Sequence, residues 1–117
     1  MVKSFKVSED VDVVFQGMSG FNQQIYIRGC LLQQSLLVAS WEVDALIDAL
    51  KNIDTTMPIP PIKVCDDLTI PSTDGNPNGI INIEGYSRRE SIAIGKWELH
   101  GLIDALIKAK GELSYVG

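Results

Sequence analysis

The chain has 117 residues, 45% of them apolar and 21% charged, with a net charge of −5. That length suits one domain with a real core, and the composition is that of a folded globular protein rather than a disordered one. The acidic balance weighs against nucleic-acid partners. The absence of any apolar run near ~18 residues weighs against a membrane span.

Residues 1–10 are mixed, with Phe5 and Val7 alternating around Lys6 as in a short edge strand. The first clear strand spans 12–16, and turn residues follow from Gly17 to Asn22. A second strand, 24–30, alternates Ile25 and Ile27 against Tyr26 and Arg28, the pattern of a sheet with one wet face. A third strand at 35–39 leads to Ser40, a candidate helix cap, and Glu42, which suits the positive end of a helix dipole. Val43, Leu46, Ile47 and Leu50 then fall at helical spacing and form one apolar stripe.

Residues 53–61, with Pro58, Pro60 and Pro61, read as a linker. A strand is predicted over 63–70, then a polar loop over 71–79, a strand over 80–86, a turn at 87–90 and a strand over 91–95. The second helix carries Leu99, Leu102, Ile103 and Leu106 on one face, and Gly111 marks its expected end. Residues 113–116 form a short tail.

Residues 35–50 recur at 91–106, displaced by 56 positions without a gap. The identities include Trp41/Trp97, Glu42/Glu98, Leu46/Leu102 and Asp48/Asp104, and reach upstream through Ile25/Ile81, Ile27/Ile83 and Gly29/Gly85. The predicted fold is therefore α+β: two β-β-β-α units, about 5–52 and 62–110, with antiparallel sheets and two amphipathic helices packed on them. Each unit alone is marginal in size, so the two are expected to form a single domain about a pseudo-twofold axis. Whether the sheets join or stack is left open by the pattern.

Candidate chemistry is sparse. Cys30 and Cys65 lack the spacing of a zinc site or a disulfide framework, and read as small buried apolar residues. Asp74, Asn76 and Asn78 match the first half of a calcium loop, but Gly85 stands where the closing glutamate belongs, so a polar turn is the better reading. His100, the sole histidine, has no companion for acid–base or metal chemistry. Phosphate-loop, dinucleotide and nucleophile-elbow motifs are absent, and Asp66-Asp67 would point to opposite faces of an extended strand. No cofactor, metal or catalytic residue is expected, and the balance leans away from an enzyme.

Trp41 and Trp97 open the two helices opposite their apolar stripes. Either the rings cover the strand-to-helix junction, or they face a partner, since tryptophan is common at binding hot spots. Glu42, Glu98, Asp48 and Asp104 read as solvated helix-face acids, or as rim charges for a basic partner. The copies differ at the hairpin tip, where Leu31 and Leu32 stand against Ser87 and Arg88. The leucines suggest self-association, as in a homodimer. The leading expectation is a cytoplasmic, acidic protein that binds another protein through Trp41, Trp97, Asp48, Asp104, Leu31 and Leu32, in the manner of an inhibitor, immunity or phage accessory protein. The alternative is an oligomeric module that sequesters an anionic metabolite or nucleotide with Arg88, Arg89, Asp74, Asn76 and Asn78.

Overall fold

The computed structural model describes residues 2–18, 21–29, 34–53, 60–71, 79–85 and 89–112. Strands β1 (Val2–Lys6), β2 (Val11–Met18), β3 (Phe21–Gly29) and β4 (Gln34–Val38) precede helix α1 (Val43–Lys51). Strands β5 (Ile62–Cys65), β6 (Leu68–Ile70), β7 (Ile80–Gly85) and β8 (Glu90–Gly95) follow, then a 3-10 turn (Lys96–Glu98) and helix α2 (Leu99–Gly111). The class is α+β: two antiparallel four-stranded sheets, ordered β1-β2-β3-β4 and β5-β6-β7-β8.

Each half thus holds four strands, where three were expected. The N-terminal segment does pair as an edge strand, with Phe5 opposite Val13. The expected strand over 63–70 is instead a hairpin that turns at Asp66-Asp67, so that polar pair is a turn and not part of an extended run. Two helix ends also differ from expectation. Ser40 does not cap α1; Glu42 takes the cap position without a side-chain bond to the helix amides. Gly111 is the last helical residue, and Glu112 caps α2 in the right-handed region (φ −84°), so no left-handed glycine closes the helix.

The second half repeats the first in register. Ile25 pairs with Val38 in β3 and β4, as Ile81 pairs with Ile94 in β7 and β8. The correspondence continues into the N-terminal hairpins with one residue of slippage. Lys6 pairs with Asp12 and Val11 with Gly29, as Lys63 pairs with Thr69 and Leu68 with Gly85.

Alternation sends Val11, Val13, Phe15, Ile25, Ile27, Leu36 and Val38 from one sheet, and Leu68, Ile70, Ile81, Ile83, Ile92 and Ile94 from the other, into one continuous core. Both helical stripes enter the same core, and each four-residue stripe contributes roughly 6–12 kcal/mol of burial before chain entropy opposes it. The helices touch each other and reach across the halves: α2 lies on β1 and β2, while α1 meets β5. Lys3 of β1 pairs with Glu112 beyond α2 at 2.9 Å, and Lys110 pairs with Asp44, tying α2 to α1.

Strands β4 and β8 meet along their edges without sharing a ladder. Gln34 Oε1 accepts from the Ala93 amide and Glu90 Oε1 accepts from the Leu37 amide, both at 3.1 Å. Gln34 and Glu90 are equivalent positions, as are Leu37 and Ala93, so each edge satisfies the other in the same way. Unpaired strand edges invite aggregation, and this exchange covers both.

Candidate recognition site

The repeated Trp-Glu pair divides sharply between surface and interior. Trp41 is 82% exposed and Trp97 75%, whereas Glu42 and Glu98 keep only 3% and 9% of their surface. Both rings are largely exposed, and the solvated-acid reading of the two glutamates is corrected.

The reversal follows from the turn that joins the last strand to the helix. The Glu42 amide donates to the Ala39 carbonyl at 2.8 Å, which closes the turn and points the carboxylate back along the strand. Oε1 of Glu42 then accepts the Ala39 amide at 2.9 Å, and Oε1 of Glu98 accepts the Gly95 amide at 2.8 Å. A carboxylate reaching back three residues to an amide is half of a capping box, and it satisfies a donor that the end of the strand leaves open. With the glutamate turned inward, the tryptophan before it is turned outward.

The second carboxylate oxygen crosses to the other half. Cys65 Sγ, at the end of β5, donates to Glu42 Oε2 at 3.1 Å. Ser8 Oγ, just after β1, donates to Glu98 Oε2. Ser8 follows Lys6 by two residues as Cys65 follows Lys63, so each half's glutamate grips the other half's first hairpin. Ser8 Oγ also accepts from the Asp10 and Val11 amides, both at 3.2 Å, which shapes the bend between β1 and β2. Burial, then the hydrogen bond to Glu42, pushes the Cys65 thiol above its ordinary pKa. Cys65 is therefore a half-buried donor and not plain apolar filling. Sequence reasoning missed Ser8 and Cys65 as partners because the first hairpins share few identities; Lys6/Lys63 and Val7/Val64, one place out of the 56-residue frame, were the available signal.

Asp48 and Asp104 are exposed on α1 and α2, and His100 is exposed near the start of α2. Arg89 is exposed with a positive φ of 50° and lines a shallow depression with Glu84 and Glu90, whose carboxylates oppose anion binding there. Leu31, Leu32, Arg88, Asp74, Asn76, Asn78 and Cys30 lie outside the described residues, as does most of the linker. Among the described residues, no three His, Cys, Asp or Glu side chains gather as a metal site, and no helix is long and apolar enough to cross a membrane.

A cleft of about 280 Å³ opens where the two sheets meet, lined by Asp10, Val11, Gly29 and Gln34 from one half and Ile80, Ala93, Gly95, Trp97 and Glu98 from the other. The Trp97 ring lies directly over Gly95, where a Cβ would stand 2.6 Å from Cη2. Compared with known protein families, curated proteins and solved structures, the chain matches none.

Proposed function

We propose that this protein is a non-catalytic recognition module, of the inhibitor or immunity type, whose duplicated halves are related by a pseudo-twofold axis and present Trp41 and Trp97 to a protein partner. The observation that carries this reading is the outward placement of both indoles beside inward carboxylates. An indole side chain offers about 150–250 Å² of contact area, so covering two of them gains several kcal/mol that folding leaves unused. Tryptophans so placed are the residue type on which binding energy concentrates. The net charge of −5, with Asp48 and Asp104 exposed on the helices, favours a basic partner. The equal strand registers and the reciprocal grips of Glu42 and Glu98 support the pseudo-twofold relation.

The test compares wild type with Trp41→Ser, Trp97→Ser and the double variant in affinity capture from source-cell lysate, alongside thermal melting. The variants should melt within a few degrees of wild type, because neither ring is in the core. A stoichiometric partner should be held by wild type and lost by the double variant. Capture that survives both substitutions would refute the proposal.

A further inference from the structure

The cleft between the sheets sits beside one tryptophan only. Gly95 and Ala39 occupy equivalent positions, two residues before Trp97 and Trp41. Trp97 rests flat on the bare Cα of Gly95, in space that a methyl group would fill. At the first copy, Ala39 carries that methyl group, so the same ring position is closed to Trp41. One substitution between the copies has therefore turned a surface indole into a cleft wall.

The other described residues of the cleft are acidic or neutral. Its lining includes Gln34 and Ala93, joined by the bond from the Ala93 amide to Gln34 Oε1, together with Val11 and Ile80. Asp10 and Glu98 line it, and among the described residues no lysine or arginine does. The Glu98 carboxylate is held in place by the Gly95 amide and the Ser8 hydroxyl, while Asp10 is exposed. A volume of about 280 Å³ lies below the usual range for a cofactor-sized ligand and suits a single long side chain.

We propose that this cleft is a subsite for an arginine side chain of the partner protein, with the guanidinium stacked on Trp97 and paired with Asp10. This rests on the recognition reading above and names the group it would take. A planar cation suits a slot lined by an indole and by the exposed Asp10 better than the compact ammonium of lysine does, because it stacks and hydrogen-bonds at once.

The test uses N-acetyl-arginine-N-methylamide as the probe and the indole N–H resonances as reporters, assigned with Trp41→Phe. The Trp97 resonance should shift saturably in the millimolar range while that of Trp41 stays still. The citrulline analogue, neutral and nearly isosteric, should give no saturable shift. Asp10→Asn should weaken the response about fivefold, as expected of an ion pair at a wet rim. Gly95→Ala should abolish it without loss of fold, since Gly95 has an extended backbone (φ −78°, ψ 149°) that alanine adopts freely. Equal shifts at both indoles, an equal response to citrulline, no response to arginine, or a response that survives Gly95→Ala would each overturn the subsite. Partner capture that depends on the tryptophans, together with an arginine-blind cleft, would sink the subsite and leave the recognition reading intact. An arginine response without tryptophan-dependent capture would do the reverse.

Discussion

Glu98 serves one local and one remote donor, the Gly95 amide at the end of β8 and the Ser8 hydroxyl from the other half. Removing a buried, hydrogen-bonded carboxylate leaves both donors without an acceptor, so Glu98→Ala should cost about 2–3 kcal/mol in urea unfolding. Ser8→Ala should cost about 1–2 kcal/mol, and the two effects should be coupled in a double-mutant cycle; additive losses would show that the contact contributes nothing. The equivalent pair, Glu42 and Cys65, carries a pH signature instead. The thiol has a raised pKa in the folded protein, first through burial and then through its bond to Glu42, so the unfolded chain loses this proton at lower pH than the native state does. Its contribution is therefore complete below the ordinary thiol pKa of about 8.5 and is lost as pH rises through the raised folded value. Cys65→Ser keeps a hydroxyl donor without that titration, and its melting temperature should fall less steeply than that of wild type across this alkaline window. Equal slopes would dismiss the linkage.

The helices show how one stripe can be read from sequence while its destination cannot. Leu46, Ile47, Leu50 and their counterparts Leu102, Ile103 and Leu106 are buried as their spacing requires. That α2 lies over β1 and β2 of the other half is written nowhere in that spacing. Gly101 marks the crossing: a Cβ there would stand 3.1 Å from the Val7 carbonyl oxygen and 3.2 Å from Val7 Cγ1. A glycine within a helix normally costs about 1 kcal/mol relative to alanine. Gly101→Ala should fail to recover that amount, because the crowded oxygen belongs to backbone that moves only with the bend between β1 and β2. A variant stabilised by the full increment would show that the approach is loose. Strand count was misjudged for a related reason. Residues 63–70 read as one strand because Asp66-Asp67 carries no glycine or proline to announce a turn, and pairing with β7 is what separates the two short arms.

Across the whole molecule the two halves share one core, exchange helices over each other's first hairpins and close their sheet edges reciprocally. Neither half then has a complete interior of its own, and unfolding should be all-or-none. Leu46→Ala and Leu102→Ala, at equivalent buried positions, should each cost about 2–5 kcal/mol and lower one common transition seen alike by circular dichroism and tryptophan fluorescence. Two separated transitions would mean that the halves fold independently. The repeat, the strand alternation, the helical stripes and the α+β class were determined by sequence alone, because side-chain periodicity is local and a 56-residue echo needs no coordinates to be seen. Which sheet edges meet, which helix covers which hairpin, and why Glu42 and Glu98 are inside while Trp41 and Trp97 are outside were decided only by the tertiary structure. A carboxylate is buried when donors from remote segments converge on it, and that convergence exists only once the chain has folded.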